Sequence, residues 1–275
     1  MPKLTKRWWV VFLFPIAAFA ALVPTRNPTA PPNAASAPFE FNFARVQYDS
    51  EGGMGEAYYA YEGRVWQRWE TDEPLAEQNL MRRIVQLTRV RANPVPTIRR
   101  FTAPDIGAFP LLFLSDPGWM VLSDKEKASA AQFLGSGGVI WADDFWGQGE
   151  WRNFADLITE ILHGRQWREI TVDEPIFHIV YDLHSMPQIP AEPYATPGGS
   201  TFERYNGHKS PIGADESPHL RGWFDDDGRL MVIATYNTDL GDGFEREAYG
   251  KWYFETFSTR AYMLGANILT YVMTH

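Results

Sequence analysis

Residues 135–146 (GSGGVIWADDFW) constrain the fold more than any other stretch of this sequence. The glycines at its start are typical of a helix end, because glycine readily adopts the left-handed conformation that closes many helices. The apolar residues 139–142 that follow have the composition of a strand buried on both faces. Asp143 and Asp144 come where this strand ends. Ligands of open α/β sheets bind outside the carboxyl ends of the strands, so the segment predicts both a sheet and the edge that carries a site.

The sequence around this segment alternates between strand and helix patterns. Residues 109–114 (FPLLFL) form another continuous apolar run, and residues 97–101 fit a shorter strand. Ser123 and Glu126 form a capping box, which predicts a helix start between the two apolar runs. Residues 151–162 place their apolar side chains at helical spacing. This order predicts βαβ units and an α/β fold, with a doubly wound, mostly parallel sheet flanked by helices.

The C-terminal half departs from this alternation. Residues 176–181 (IFHIVY) predict a strand, and residues 187–214, rich in proline and glycine, predict a long loop. Residues 220–224 and 229–236 flank the turn sequence at residues 225–228 (DDDG). Because an Asp-Gly pair between apolar runs is a strong hairpin signal, we expect an added β-hairpin here.

Two further helices are predicted from their first residues, and one strand from its alternation. Asp72 as the cap and Pro74 in the first turn open one helix, and Ser258 or Thr259 caps the last helix. Residues 39–48 alternate phenylalanines with polar side chains, which predicts a first strand with one half-polar face.

The N-terminus has the pattern of an export signal. Lys3, Lys6 and Arg7 precede an apolar run without charge. A basic flank before such a run is typical of a secretory signal peptide, and an uncleaved N-terminal membrane anchor is the alternative for residues 1–23. Residues 24–38, rich in proline and alanine, predict a linker. We therefore expect residues 39–275 to form a single domain that is exported, and either periplasmic or anchored on the periplasmic side.

Composition excludes several classes of function. The chain contains no cysteine, which rules out a thiol nucleophile, a disulfide framework and a thiolate metal site. Its formal net charge is −9, and no basic stripe offers the phosphate neutralisation that nucleic-acid binding needs. We expect no nucleic-acid partner, and the sequence assigns no cofactor and no metal.

Polar side chains follow the predicted strands where each strand ends. Carboxylates that converge on one crevice can bind a hard divalent cation or share a proton. The structural alternative is that these short side chains cap helices or stabilise turns, as Asp and Asn do where strands end. Asp242 lies in the same loop as Asn237 and Asp239. The candidate ligand-binding residues are Ser115, Asp116, Asp143, Asp144, Asn237 and Asp239.

A catalytic arrangement is conceivable but is not assigned. Ser115 needs a nearby base to act as a nucleophile, and His178 and His184 are the candidates for that base. A triad of Ser115, His178 and Asp143 would give a hydrolase, although isolated serine and histidine residues occur in any domain.

An aromatic segment offers a different alternative. The structural interpretation is that its rings pack within the loop. The functional alternative is that a ligand such as a sugar stacks on them. That alternative requires several of the rings to be exposed and coplanar. The rings belong to Tyr58, Tyr59, Tyr61, Trp66 and Trp69.

Several motifs together resemble the bacterial domain-of-unknown-function family 4159. They are the phenylalanine-rich first strand, Asp72 and Asn79, residues 109–114, 123–126, 137–144, 173–178, 227–233 and 236–242. The resemblance covers residues 39–273. It implies a flavodoxin-like domain similar to class I glutamine amidotransferases, in envelope-associated proteins, and it implies no activity. Those amidotransferases carry a cysteine on a glycine-flanked turn, whereas residues 114–118 (LSDPG) contain none, so cysteine-dependent amidotransferase chemistry is excluded.

These observations favour an exported, non-catalytic module on an amidotransferase-like scaffold. It would bind a small polar ligand or another envelope protein at the strand ends, with membrane association through the N-terminal segment as a further expectation. The alternative function is a hydrolase that uses Ser115 or a carboxylate-bound metal.

Overall fold

A computed structural model of the chain describes residues 41–88, 90–93, 95–203 and 214–275. The predicted signal or anchor, the linker and the start of the predicted first strand lie outside the described residues. Within these ranges, no helix is both long enough and apolar enough to span a lipid bilayer.

The described residues form short strands in the first third of the chain and alternating strands and helices after it. The strands are β1 (Phe43–Val46), β2 (Asp49–Ser50), β3 (Tyr58–Tyr61), β4 (Arg64–Gln67), β5 (Thr97–Arg99), β6 (Leu111–Ser115), β7 (Met120–Val121), β8 (Val139–Asp143), β9 (Arg168–Glu169), β10 (His219–Phe224) and β11 (Leu230–Tyr236). The helices are α1 (Leu75–Leu87), α2 (Asp124–Gly135), α3 (Gly147–Ile161), α4 (Leu240–Glu245), α5 (Lys251–Tyr253) and α6 (Thr259–Thr274).

A seven-stranded sheet with the order β5-β1-β6-β8-β11-β10-β9 lies at the centre. The strands from β5 to β11 are parallel to their neighbours. Among these parallel strands the chain order is 2-1-3-4-5, which is one of the two common orders of doubly wound sheets. β10 pairs antiparallel with β11 and forms the predicted hairpin, and β9 pairs antiparallel with β10. The predicted fold class is confirmed, including the added hairpin.

Alternate side chains of the central strands belong to two separate hydrophobic clusters. Phe113 and Trp141 pack in one cluster with the buried faces of α1 and α6. Leu112 and Ile140 pack in the other cluster with α2 and α3. Helices therefore cover both faces of the sheet, which explains why the central strands are apolar at every position.

Two local predictions are confirmed by their hydrogen bonds. At the start of α2, Ser123 Oγ accepts from the Glu126 backbone N–H at 3.4 Å, and Glu126 Oε2 accepts from the Ser123 N–H at 3.0 Å. In the hairpin turn, Asp225 Oδ1 accepts from the N–H groups of Asp227 and Arg229. Both patterns depend only on residues close in sequence, which is why the sequence predicts them correctly.

Two other local predictions are wrong. Residues 176–181 do not form a strand, because Pro175–Phe177 makes a 3₁₀ turn that the His178 N–H closes onto the Pro175 carbonyl at 2.9 Å. Neither Ser258 nor Thr259 caps the last helix, since a π-helical segment, Phe254–Ser258, joins α5 to α6 without a break. The helical stretch therefore begins at Lys251.

Candidate functional site

A pocket lined by five carboxylates opens at the carboxyl ends of β8 and β11. We call it the acidic pocket. Its volume is about 110 Å³, which leaves room for several water molecules. Tyr59 and Tyr61 of β3, Tyr194 and the Arg246 guanidinium complete its ionisable lining. The five carboxylates belong to Asp72, Asp144, Glu203, Asp239 and Asp242.

Asp143 and Asp144 are adjacent in sequence but have different environments. Asp143 is fully buried, where Oδ1 accepts from Thr235 Oγ1 at 2.5 Å and Oδ2 accepts from the Gly241 N–H at 2.8 Å. Burial raises the pKa of Asp143 to about 8. Asp144 has a left-handed backbone with a φ of 57° and lines the acidic pocket, where its Oδ1 accepts from Trp146 Nε1 at 2.9 Å. Asp143 therefore supports the segment beneath the pocket, and Asp144 lines it.

Asp239 and Asp242 come from the loop after β11. Asp239 is the N-cap residue of α4, and its Oδ1 accepts from the Asp242 N–H at 2.6 Å. Asp242 Oδ2 accepts from the Tyr253 hydroxyl at 3.2 Å and from the Glu192 N–H, and its Oδ1 lies 3.3 Å from Arg246 Nε. Asp242 is thus held by several donors, whereas Asp239 has one oxygen engaged in the helix cap.

Asp72 enters the pocket from the segment before α1. The sequence predicts it as a helix cap, and this prediction is wrong: α1 begins at Leu75, and Asp72 has a left-handed φ of 65°. Its Oδ2 is buried and has no hydrogen-bond partner among the described residues. A Cβ atom at Gly241 would lie 2.3 Å from this oxygen, so only glycine lets the backbone of α4 approach Asp72 so closely.

Arg45 of β1 fixes the segment that carries Asp72. Its Nη1 donates to the carbonyl oxygens of Trp69 at 2.9 Å and Thr71 at 2.6 Å. Its Nε donates to the carboxylate of Glu77 in α1, and both side chains of this ion pair are buried. A charged pair inside the fold therefore anchors the residues immediately before Asp72.

Burial raises the pKa values of three carboxyl groups of the pocket, those of Asp72, Asp239 and Asp242. The pKa of Asp72 lies well above its ordinary value because of burial first and the neighbouring charge of Glu245 second. The pKa of Asp239 lies well above its ordinary value because of burial and the nearby Asp144. Burial raises the pKa of Asp242 to about 7, although a neighbouring guanidinium opposes the shift. The anionic forms of these groups are therefore unfavourable, and a bound cation would stabilise them.

The chain matches the family model of DUF4159, described as a domain of unknown function, over residues 42–273. The chain belongs to the DUF4159 family. All the residues of the acidic pocket lie within the matched region of this DUF4159 domain. No curated protein matches the chain.

The point at which the strand order of the DUF4159 domain reverses, between β1 and β6, is filled by protein side chains. Doubly wound sheets commonly bind ligands there. Tyr48 donates its hydroxyl to the carbonyl oxygens of Ser115 at 2.6 Å and Asp116 at 2.8 Å. Arg68 Nη1 donates to Asp116 Oδ2 at 2.6 Å, and both side chains are buried. The acidic pocket is therefore displaced towards β8 and β11.

Of the six predicted site residues, the structure brings Asp144 and Asp239 into the acidic pocket. The side chains of Asp116 and Asn237 are used in structural contacts elsewhere, and Asn237 Oδ1 accepts from the Gly147 N–H at 2.9 Å. Ser115 is fully buried, beside the point between β1 and β6 at which the strand order reverses. Whether Asp144 and Asp239 bind a ligand stays a prediction.

Three strand-end residues share one backbone conformation. Asp116, Asp144 and Asn237 directly follow β6, β8 and β11, and their φ angles are 52°, 57° and 56°. Asp and Asn tolerate this left-handed region better than most residues. Part of the polar pattern at the strand ends is therefore turn chemistry, in agreement with the structural alternative.

The serine hydrolase arrangement does not form among these residues. Both ring nitrogens of His178 are engaged, Nδ1 with Asp182 Oδ1 at 2.5 Å and Nε2 with the Val172 carbonyl at 2.7 Å. His184 lies beside the same Asp182 carboxylate at 3.3 Å. Ser115 thus has neither histidine as a hydrogen-bond partner.

The aromatic segment forms a hairpin of β3 and β4 beside the acidic pocket. Tyr59 and Trp66 stack with their ring planes 10° apart and their centroids 6.4 Å apart. Tyr58 is exposed, whereas Trp69 is buried. The rings therefore do not form the single exposed platform that sugar stacking requires, and Tyr59 instead forms part of the pocket wall.

Several pocket residues carry no local signal in the sequence. Asp72 has the sequence context of a helix cap, Glu203 lies in the long loop, and Arg246 follows a short helix. The one usable signal is the loop after β11, which already contains Asp239 and Asp242.

Proposed function

We propose that this DUF4159 protein is an exported, non-catalytic binding module whose acidic pocket takes a small cationic ligand. The observation that carries the proposal is the lining of the pocket. Five carboxylates line it, against Arg246 as the only cationic side chain among its described lining residues.

The charge of the lining determines the class of ligand. Carboxylates in a small buried space repel one another, and the raised pKa values of Asp72 and Asp239 express the unfavourable burial of their charge. A cation removes this penalty by pairing with the charged form, whereas an anion would increase it. A neutral ligand would displace water without relieving the repulsion.

The scaffold supports a binding function rather than catalysis. The 2-1-3-4-5 order of the parallel strands is that of flavodoxin-like folds, to which class I glutamine amidotransferases are similar. The chain lacks the cysteine of those enzymes, and His178 is engaged away from Ser115. Perturbed carboxyl groups in a cleft at the strand ends remain as the functional candidate.

Export forms part of the proposal and has a separate basis. It is supported by the basic flank and uncharged apolar run of residues 1–23. Fractionation of the native host with an antibody against the domain tests it. Export predicts the domain in the periplasmic or membrane fraction, and recovery with cytosolic proteins contradicts it.

Thermal unfolding of the full chain tests the ligand class. The panel contains divalent metal chlorides, spermidine and tetramethylammonium as cations, phosphate and citrate as anions, and neutral sugars. A ligand that binds only the folded state, at 100 times its Kd, stabilises by about 2.7 kcal/mol, a shift of roughly 5–10 °C.

The proposal predicts that a cation shifts the unfolding temperature and that Asp144→Asn abolishes the shift. Asp227→Asn, in the exposed turn between β10 and β11, is the matched control and retains it. Stabilisation by an anion or a sugar alone, or by no member of the panel, would contradict the proposal.

A further inference from the structure

Three carboxylates of the acidic pocket have the spacing of ligands to one metal ion. Oxygens of Asp72, Asp144 and Asp239 lie within 4.8 Å of one another. Two oxygens on opposite sides of one ion are about 4.6–5.2 Å apart for calcium and about 4.0–4.2 Å apart for magnesium, and neighbouring ligands are closer. The three side chains therefore reach a common ion with little or no movement.

The carboxylate of Asp72 gives an independent reason to expect a ligand. Its Oδ2 is shielded from solvent and has no hydrogen-bond partner among the described residues. Buried charges in proteins are normally paired or coordinate a metal, because an isolated buried carboxylate is strongly unfavourable. Asp72 lines the acidic pocket, so a cation there would provide the missing partner.

A second group of carboxylates is less suited to hold a cation. Oxygens of Asp72, Asp242 and Glu245 also lie within 4.8 Å of one another. Arg246 Nε, however, lies 3.3 Å from Asp242 and 2.7 Å from Glu245, so this side already holds a positive charge. Asp242 also accepts from the Tyr253 hydroxyl. Electrostatic repulsion by the guanidinium favours the group on the Asp144 side.

The donor atoms select the kind of metal. The side chains of the described lining residues offer carboxylate and hydroxyl oxygens, and no histidine is among them. Calcium and magnesium prefer oxygen ligands, whereas zinc and copper prefer nitrogen and sulfur. The remaining volume lets water complete the coordination shell, as is usual for magnesium.

An organic ammonium ion fits the pocket less well. Tyr59, Tyr61 and Tyr194 line the pocket, and an aromatic cage of this kind can bind quaternary ammonium groups. The chain's own guanidinium groups already lie over two of these rings, Arg68 at 5.4 Å from the Tyr59 centroid and Arg246 at 5.6 Å from the Tyr61 centroid. The aromatic faces are thus partly used by the protein itself.

We propose that Asp72, Asp144 and Asp239 together bind one hard divalent cation of the calcium and magnesium class. This inference rests on the proposed function and names its ligand. The cation joins the segment before α1, the end of β8 and the start of α4, which are far apart in sequence.

Calorimetric titration of the full chain, first treated with chelator, tests the site with calcium, magnesium or manganese chloride alone. We expect one ion per chain for at least one metal. Asp72→Asn and Asp144→Asn should each weaken binding at least tenfold, because each removes a charged ligand but keeps the side-chain shape. Glu245→Gln, in the less suited group, and the control Asp227→Asn should change affinity less than threefold. Circular dichroism checks that each variant folds. If Asp72→Asn does not fold, the affinity of Asp144→Asn alone decides the test.

The outcomes separate this inference from the proposed function. Binding of spermidine or tetramethylammonium without binding of any divalent metal overturns the metal site and leaves the cationic pocket standing. No binding of any cation overturns both. Metal binding that Glu245→Gln weakens tenfold, while Asp72→Asn and Asp144→Asn retain it, also overturns the assignment to these three aspartates.

Discussion

Gly241 illustrates how a single residue limits the geometry of the acidic pocket. A methyl group at this position would meet Asp72 Oδ2 at 2.3 Å and Asp239 Oδ1 at 3.4 Å. The backbone N–H of Gly241 also donates to Asp143. The absence of a side chain therefore lets α4 approach two pocket carboxylates and the buried aspartate of β8 at once.

Gly241→Ala should lower the free energy of unfolding by about 1–3 kcal/mol, because the new methyl group forces Asp72 or the helix to move. It should also weaken binding of a cation in the acidic pocket. Chemical denaturation and the calorimetric titration measure the two effects.

Gly149→Ala is the matched control, since Gly149 lies in the first turn of α3 and a Cβ atom there has no neighbour within 4 Å. Alanine should stabilise this helix by about 0.5–1 kcal/mol. Equal effects of the two substitutions would show that close packing does not explain Gly241.

At the scale of elements, the ion pair of Arg45 and Glu77 connects β1 to α1. Arg45→Leu should destabilise the fold by about 3–5 kcal/mol, because it leaves a buried carboxylate without its partner. It should also loosen the segment before Asp72, whose carbonyl oxygens Arg45 binds.

The double variant Arg45→Leu/Glu77→Leu should be less destabilised than the sum of the single variants, since it removes both buried charges. Denaturant unfolding of the four proteins gives the coupling energy. Strict additivity would mean that the two side chains contribute independently, and would contradict a coupled ion pair of Arg45 and Glu77.

The edge strand β9 depends on a pH-sensitive contact. Glu169 of β9 accepts from His219 Nδ1 at 2.8 Å and Arg221 Nε at 3.0 Å, both on β10. Burial raises the pKa of Glu169, but the hydrogen bonds from these partners outweigh it, so the pKa lies below its ordinary value. A lowered pKa in the folded state stabilises at pH values above the unfolded value of about 4.3 and is lost as the pH falls through the folded pKa.

Glu169→Gln should therefore reduce stability at pH 7, and its difference from the unsubstituted protein should shrink as the pH falls below about 4.3. Urea unfolding of both proteins, at pH 7 and at a pH below about 4.3, gives this difference in the free energy of unfolding. A difference that is constant with pH would indicate that the charge of Glu169 has no role.

Local signals explain which parts of the fold are predictable. The apolar runs at β6 and β8, the capping box of α2 and the hairpin turn at Asp225 are each determined by neighbouring residues. The wrong cap prediction at Asp72 depends on distant residues, because the chain turns this side chain towards α4. Ser258 lies inside a continuous helical stretch that begins at Lys251, so it is not at a helix start.

The acidic pocket is partly predictable for the same reason. The rule that sites lie at strand ends finds Asp144 and Asp239, because it depends only on where β8 and β11 stop. It also selects Asp116 and Asn237, whose side chains turn out to serve turns and ion pairs. No sequence spacing relates Asp72 to Asp144, since only the folded sheet brings these segments together.

At the scale of the whole molecule, a cation in the acidic pocket would cross-link three distant segments. Its ligands Asp72, Asp144 and Asp239 precede α1, follow β8 and start α4. Separation of these segments would break the coordination, so binding must make their local opening less favourable. The effect should be confined to these elements, because the β9–β10 edge contributes no ligand.

Hydrogen exchange of the full chain, with calcium or with chelator, measures this coupling. Saturating calcium should slow exchange at least tenfold in peptides that cover residues 69–76, 144–148 and 238–245, with little change in β9 and β10. Asp144→Asn should abolish the protection in all three segments together, since loss of one ligand releases the ion from the others. Protection of one segment alone would mean that the ion is held locally and that the three aspartates do not share it.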